Sequence, residues 1–243
     1  MKLTFIGTSH GFAEADRTCS STLLEVSDAA YLIDAGSIID HALINIGKDV
    51  CCIKDIFITH MHEDHVGCLT SAIKSYDRYG KMDKIKIFFP EQSGIDGFKA
   101  WNTALHQNIC DYDCFKLIQP DEFFKDDNIT VRAIKTDHIP TLTSYAFIFE
   151  AEGKKIGFSG DFSGNGDFHD YPAEFCNEKF DLIVCEMSHF ETKKAIEKIK
   201  NSNTKTMIFN HIRGQDKVNE VSQYFKDLPF DVKVSYDGMQ YEI

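Results

Sequence analysis

The sequence lacks several features that define other classes of protein. It has no apolar run approaching the roughly 18 residues of a membrane-spanning helix. Its opening apolar stretch, Met1 to Gly7, is too short for a signal peptide and has no small-residue cleavage site. It has only five prolines and no repeat or low-complexity segment. These absences predict a single domain, residues 1–243, in the cytoplasm and without a membrane partner.

Basic charge is also scarce. Lys and Arg total 26 against 38 Asp and Glu, which gives a formal net charge of −12. Because a grip on the phosphate backbone needs basic patches, this balance predicts a small-molecule substrate rather than long nucleic acid. An anionic substrate remains compatible, since metal ions would dominate the field of their own pocket. The sequence leaves the oligomeric state open, a homodimer included.

The eight cysteines form no Cys-x-x-Cys pair. In a cytoplasmic chain of this size we expect them to be reduced. Cys110 and Cys114 stand four residues apart in an acidic segment, and metal binding or a disulfide there is the alternative.

What the sequence does contain is a dense group of metal-ligating side chains. The apolar run 56–58 predicts a buried strand, and residues 59–65 (Thr-His-Met-His-Glu-Asp-His) follow it directly, with a predicted helix at 70–79. Imidazole and carboxylate groups suit zinc and similar metals. Because these groups share one strand-exit turn, they can converge on a point, which makes this pattern more specific than a lone histidine.

Four other predicted strands end near metal-capable side chains. The strands 30–34, 129–136, 155–159 and 206–209 lead into Asp34, His138, Asp161 and His211. Each residue taken alone is more often a turn or solvated residue than a ligand. Their joint occurrence behind the cluster predicts that strand ends converge on one cleft.

These residues together resemble the metallo-β-lactamase superfamily. The His-x-His-x-Asp-His pattern at 60–65 is similar to its signature, although Gly67 stands one position before the usual glycine. The resemblance implies an α/β fold, the αββα four-layer sandwich, and two divalent metal ions, zinc with manganese or iron as alternatives. It implies that one ion is held by His60, His62 and His138, the other by Asp64, His65 and His211, with Asp161 as the bridge and Asp34 orienting a ligand imidazole.

Several details favour the branch of tRNase Z and the cyclic phosphodiesterases. The opening residues 3–9 look like that branch's first strand and loop. His62 stands where diiron oxygen-reducing members have glutamate, and Asp161 where zinc β-lactamases have cysteine. In this branch a glutamate and a histidine assist the leaving group, and Glu186 and His189 match them. His10 either lines the cleft entrance or is a solvated loop residue.

The resemblance implies a metal-dependent hydrolase, a phosphodiesterase that attacks small or cyclic phosphodiesters with a hydroxide bridging the two ions. Asp64 would orient the nucleophile, and His189 would act as the general acid. A lactonase or thioesterase is the alternative reaction, and a non-catalytic, metal-stabilised binding protein is the alternative of another class. The acidic segment 91–128 is a candidate insertion, where a tRNA nuclease would carry a basic arm.

Overall fold

A computed structural model of the protein describes residues 1–109, 111–164 and 168–243. Cys110 lies outside the described residues, and so does the alternative that it forms a metal site or a disulfide with Cys114. Within these ranges the chain forms two seven-stranded β-sheets that pack face to face, with helices on their outer faces. This arrangement confirms the predicted αββα sandwich.

The first sheet has antiparallel strands at one side and parallel strands at the other. Its order is β14-β1-β2-β3-β4-β5-β6, and pairing is parallel from β3 to β6. The strands are β1 (Lys2–Gly7), β2 (Ser21–Val26), β3 (Ala29–Ile33), β4 (Ile53–Phe57), β5 (Lys86–Phe89), β6 (Phe115–Leu117) and β14 (Gln240–Glu242). The helices between them are α1 (Ile39–Asn45), α2 (Glu63–Val66), α3 (Leu69–Arg78) and α4 (Gln92–Ala104), with a 3₁₀ turn at Met82–Lys84.

The second sheet repeats this organisation. Its order is β13-β12-β11-β10-β9-β8-β7, with parallel pairing from β10 to β13. The strands are β7 (Asp121–Lys125), β8 (Thr130–Thr136), β9 (Ser144–Ala151), β10 (Lys154–Phe158), β11 (Phe180–Glu186), β12 (Thr204–Asn210) and β13 (Asp231–Val234). The helices are α5 (Glu174–Asn177), α6 (Thr192–Lys200) and α7 (Gly214–Tyr224). The sequence predicts that residues 144–150 and 155–159 pair as a hairpin around Glu152 and Gly153. The β9–β10 pair confirms this, and the two turn residues have φ of 51° and 71°.

Alternation along the central strands builds three hydrophobic layers. On β4, Phe57 points between the sheets, whereas Ile56 points towards the outer helices. The ring of Phe57 contacts Phe88 at 5.1 Å and Phe149 at 5.5 Å between ring centroids. Because both faces of these strands are buried, the strand ends are held rigidly relative to one another.

The acidic segment 91–128 supplies α4 and one edge strand to each sheet, β6 and β7. That it is an insertion stays a prediction. The sequence predicts a helix at 94–108 with Trp101 on its packed face. That position is wrong, because Ile95, Phe98 and Asn102 form the buried stripe of α4 and Trp101 is 58% exposed. None of the helices within the described ranges is long and apolar enough to cross a membrane.

Candidate metal centre

Five strands bring the predicted ligands to one edge of the sandwich. Asp34 follows β3, the 60–65 cluster follows β4, and the ends of β8, β10 and β12 carry the remaining three. All of them are at most 7% exposed except His62, which is half-buried. The structure therefore brings together every predicted ligand, namely His60, His62, Asp64, His65, His138, Asp161 and His211.

The first group of ligands consists of three imidazoles. The Nδ1 atom of His62 lies 3.1 Å from Nε2 of His60 and 3.1 Å from Nε2 of His138. Burial, followed by the charge of His65, lowers the pKa of His60 well below its usual value. Burial and His138 lower the pKa of His62 as well. Both side chains are therefore neutral near neutral pH, the form in which imidazole binds a metal.

The second group contains a carboxylate and two imidazoles. The Oδ2 atom of Asp64 lies 3.5 Å from Nε2 of His65 and 3.8 Å from Nε2 of His211. Asp64 and His65 lie on the short helix α2, which follows directly after His62. This helical turn separates the ligands of the cluster into the two groups.

Asp161 lies between the two groups. Its Oδ2 atom is 3.3 Å from Nε2 of both His65 and His211, and 3.7 Å and 3.9 Å from Nε2 of His60 and His138. Burial alone would raise the pKa of this carboxyl, but His211 and His65 hold it well below its usual range. Gly160, with φ of 58°, sets the turn, since a Cβ there would lie 2.5 Å from the Tyr145 carbonyl oxygen.

The donor set fits a divalent metal. Several of its buried atoms have no hydrogen-bond partner among the described residues, namely Nε2 of His65, both ring nitrogens of His211 and Oδ1 of Asp161. Leaving a buried polar atom unpaired costs about 1–3 kcal/mol. These unpaired atoms in a native site therefore indicate a partner outside the chain, such as a metal ion. Imidazole and carboxylate groups at these separations are the donors that zinc and related divalent metals take.

Outer contacts fix the orientation of two ligand rings. The Oδ2 atom of Asp34 lies 2.7 Å from Nδ1 of His65, and its Oδ1 accepts hydrogen bonds from the backbone N–H and hydroxyl of Thr59. The Nδ1 atom of His138 lies 2.7 Å from the carbonyl oxygen of Phe162. In both rings the other nitrogen, Nε2, is therefore directed at the centre.

Glu186 and His189 stand beside this centre. The carboxylate of Glu186 accepts hydrogen bonds from three backbone N–H groups, those of Phe162, Ser188 and His189, and lies 3.1 Å from Nδ1 of His189. Burial opposes a charge on His189, but Glu186 and then Asp161 outweigh it and raise its pKa to about 9. Nδ1 of His189 is 3.6 Å from Asp161, so a cationic side chain borders the centre.

Sequence reasoning missed Thr59, and it gave no contact that holds the loop 8–19, although it named His10 as a possible residue of the cleft entrance. Thr59 links Asp34 to the cluster, and its position in the signature, directly before His60, is the signal that could have shown this. The loop 8–19 also borders the centre, because Ser9 bridges to Ile212 and Glu14 accepts a hydrogen bond from the N–H of Gly214. No local pattern marks that contact, since it joins residues 200 positions apart.

A model of the family described as anti-Pycsar protein Apyc1 matches residues 1–196 of this chain. Among curated proteins, Ribonuclease Z of Lacticaseibacillus casei is 31% identical over 155 residues, which cover 62% of this chain and 47% of that protein. Ribonuclease Z of Nitrosopumilus maritimus is 22% identical over 303 residues, covering all of both chains. The chain thus spans about half the length of the Lacticaseibacillus relative that it matches.

Solved structures share the fold along the whole chain. The metallo-β-lactamase fold protein YhfI of Bacillus subtilis superimposes with a TM-score of 0.79 at 20% identity, covering 100% of this chain and 98% of that one. The short form of human tRNase Z superimposes with a TM-score of 0.76 at 19% identity, covering 100% of this chain and 99% of that one. Together with the Ribonuclease Z relatives, these likenesses confirm the predicted superfamily and the predicted position near its tRNase Z branch.

Proposed function

We propose, since the chain belongs to the family described as anti-Pycsar protein Apyc1, that it is a metal-dependent hydrolase of phosphodiester bonds. The observation that carries this proposal is the position of Asp161, a carboxylate within 3.9 Å of four imidazoles, with the cationic His189 beside it. Curated relatives are named ribonucleases, enzymes whose substrates are phosphodiesters. Their name favours this bond over a lactone or a thioester.

The two groups of ligands support a dinuclear centre. We assign His60, His62 and His138 to one ion, Asp64, His65 and His211 to the second, and Asp161 to both, with zinc preferred over manganese or iron. When bound at such a centre, divalent ions make water a nucleophile near neutral pH and neutralise charge on phosphoryl oxygens.

The protein's own side chains divide the remaining work. Asp64 orients the attacking water and accepts its proton. His189, which is cationic up to a pKa of about 9, donates a proton to the departing oxygen. Glu186 is buried and already accepts several hydrogen bonds, so it acts on the reaction by holding His189 rather than by touching the substrate.

We further propose that the substrate is a small or cyclic phosphodiester. The net charge of −12 supports this choice, because it is unfavourable for tracking a long phosphate backbone. The ribonuclease names of the relatives favour RNA instead, so an RNA substrate has to be part of the test. A homodimer also remains a prediction, which sedimentation analysis would check.

The proposal is tested by elemental analysis of the purified protein together with a substrate panel. The panel contains cyclic nucleotides, a bis-aryl phosphate, a precursor tRNA, a lactone and a thioester. We expect about two ions per chain, hydrolysis of the small phosphodiesters, and loss of activity in a chelator and in Asp64→Ala. Cleavage of the lactone or thioester alone would replace the proposal with a carbonyl hydrolase.

A non-catalytic metal-stabilised binding protein predicts another outcome. It would turn over no member of the panel, and Asp64→Ala would leave every binding property unchanged. Preferred cleavage of precursor tRNA would keep the metal-dependent phosphodiesterase and overturn the small substrate.

A further inference from the structure

An exposed phenylalanine stands on the loop that borders the metal centre. Phe12 is 78% exposed, the highest value among the large hydrophobic side chains that are exposed in the described residues. It contributes nothing to the three hydrophobic layers of the fold. A large apolar side chain kept in water at the rim of a site is a candidate contact for a ligand.

The topology places this loop at the edge that carries the ligands. Strand β1 is antiparallel to β2, and β2 is antiparallel to β3, so β1 ends at the same edge as β3 and its Asp34. The carbonyl oxygen of Thr8 accepts a hydrogen bond of 2.9 Å from the N–H of Ile212, the residue after the ligand His211. The side chain of His10 is 16% exposed, and its Nε2 lies 3.7 Å from the carboxylate of Glu14, which accepts the hydrogen bond from the N–H of Gly214.

Hydrogen bonds hold the loop in one conformation. The carboxylate of Asp237 accepts bonds from the backbone N–H and hydroxyl groups of both Thr8 and Thr18. Arg17 donates to the hydroxyl of Thr8 at 2.7 Å and to the carbonyl of Ser235 at 2.9 Å. These bonds fix both ends of the loop.

The tip of the loop is held as well. The hydroxyl of Ser9 donates to the carbonyl oxygen of Phe12 at 2.6 Å. The imidazole of His10 meets the phenyl ring edge-on, with centroids 6.3 Å apart and planes at 86°. The ring of Phe12 is therefore presented by a fixed backbone, so binding a ligand there needs little further ordering.

We propose that Phe12 stacks on the base of a nucleotide substrate whose phosphodiester is bound at the metal centre. This inference rests on the proposed phosphodiesterase function and names the part of the substrate that the rim recognises. Every base has a π-face, so a stacking contact recognises the presence of a base rather than its identity. Phe12 is thus a specificity-determining residue that favours nucleotides over phosphodiesters without a base.

Arg213 supports an anionic ligand at this rim. It is exposed, it caps the start of α7, and it makes no ion pair within the described part of the chain. It follows the ligand His211 by two residues. In a chain of net charge −12, an unpaired guanidinium next to the metal ligands favours a substrate with a phosphate group.

The test compares substrates with and without a base. The metal-loaded protein is assayed on cyclic AMP, cyclic CMP and the matching ribose cyclic phosphate in which hydrogen replaces the base. We expect Phe12→Ala to lower kcat/KM for the two nucleotides about 5- to 100-fold, mostly through KM, and to lower it much less for the base-free substrate. Phe12→Trp should keep the preference for a base, and Phe12→Leu should lose it.

Trp101→Ala is the matched control, since Trp101 is also an exposed aromatic residue but lies on α4. It should leave the ratio between nucleotide and base-free substrates unchanged. Equal losses of Phe12→Ala on all three substrates would overturn the proposal, and so would a loss accompanied by a change of oligomeric state in sedimentation. If the wild type cleaves none of the three, the proposal of a small or cyclic substrate fails, which is a different result.

Discussion

The Oδ2 atom of Asp34 lies 2.7 Å from Nδ1 of His65, although 31 positions separate the two residues. This contact fixes which nitrogen of His65 faces the metal centre. Asp34 adopts a left-handed conformation with φ of 60°, which directs its carboxylate across the end of β4. A left-handed conformation is strained for aspartate, and such strain is found at functional sites. Here it allows Asp34 to orient the ring of His65.

Replacing Asp34 with asparagine should weaken metal binding without breaking the fold. The amide is uncharged, so it loses the charged hydrogen bond to His65 while it keeps the size of the side chain. We expect an affinity for zinc about 10- to 100-fold lower, measured by competition with a chromophoric chelator. Asp28→Asn, at an exposed turn, should bind zinc like the wild type. An unchanged affinity in Asp34→Asn would show that this contact does not orient the ring.

Replacing Gly36 with alanine should displace the ligand loop. A Cβ at Gly36 would lie 1.9 Å from the carbonyl oxygen of Asp64, so the backbone that carries this ligand has to move. We expect a loss of about 1–3 kcal/mol in the free energy of unfolding, measured in urea, and weaker metal binding.

Gly97 offers the matched control for that variant. It lies inside α4, and a Cβ there would meet no atom within 4 Å. Gly97→Ala should raise the free energy of unfolding by up to about 1 kcal/mol through helix propensity alone. Equal stability of the two variants would contradict the clash at Gly36.

Metal content should distinguish Asp161 from a ligand of a single group. Asp161→Asn weakens a contact with both groups of ligands, so it should lower the affinity for both ions. His138→Ala should leave the group of Asp64, His65 and His211 intact and retain about one ion. Titration calorimetry with zinc and elemental analysis after dialysis would measure this. The control is Asp137→Asn, which changes an exposed carboxylate next to His138. If Asp161→Asn and His138→Ala lost the same amount of metal, Asp161 would not bridge the two ions.

The pH dependence of catalysis should follow the charge of His189. Apart from burial, which acts in the opposite direction, Glu186 is the main cause that raises the pKa of His189 to about 9. If His189 is the general acid, its protonated form is the active one, and kcat should fall at the alkaline pH at which His189 loses its proton. Glu186→Gln removes the charge that holds the proton and should move this descending limb to lower pH.

The leaving group provides the check on that prediction. Alkoxide leaving groups need a proton, whereas p-nitrophenolate departs without one, so Glu186→Gln should lose more activity on alkyl diesters than on aryl diesters. Glu191→Gln, an exposed acid that pairs with Lys194, should leave the profile unchanged. If the descending limb of the kcat–pH profile stayed at the same pH in Glu186→Gln, His189 would not be the general acid.

A buried acid far from the centre gives a prediction on stability. Asp55 on β4 is 2% exposed, and its Oδ2 has no partner among the described residues. Burial raises its pKa from 3.8 to about 6 despite the opposing charge of Lys86. The folded state therefore holds a proton that the unfolded state has lost, and stability falls as pH rises from about 4 to 6.

Asp55→Asn removes this cost. At about pH 8 its free energy of unfolding should exceed that of the wild type by on the order of 2 kcal/mol, and the gain should shrink towards pH 4. Urea unfolding at several pH values measures it, with the exposed Asp28→Asn as the control. A gain that does not depend on pH would mean that the carboxyl of Asp55 titrates normally.

The order of strands and helices could be predicted because period-two and period-3.6 patterns are local. The sequence predicts a first strand at Lys2 to Gly7, which is the observed range of β1, and the β9–β10 hairpin followed from its Glu-Gly turn. The short edge strands β6, β7 and β14 were not predicted, since three to five residues with exposed side chains carry little periodicity. Trp101 was misplaced for a different reason, because composition alone does not show which stripe of α4 faces the sheet.

The sequence by itself determined the chemistry of the candidate site. The types of ligand and their places at strand ends are local properties, and the His-x-His-x-Asp-His pattern can be recognised without knowing any tertiary contact. Only the tertiary structure decided that Asp161 lies between two groups of ligands and that Glu186 contacts His189 and raises its pKa. It also decided that Phe12 stands on a loop bonded to Ile212, the residue after His211. Those properties depend on distances between residues far apart in the chain and on burial, and both arise only when the two sheets pack together.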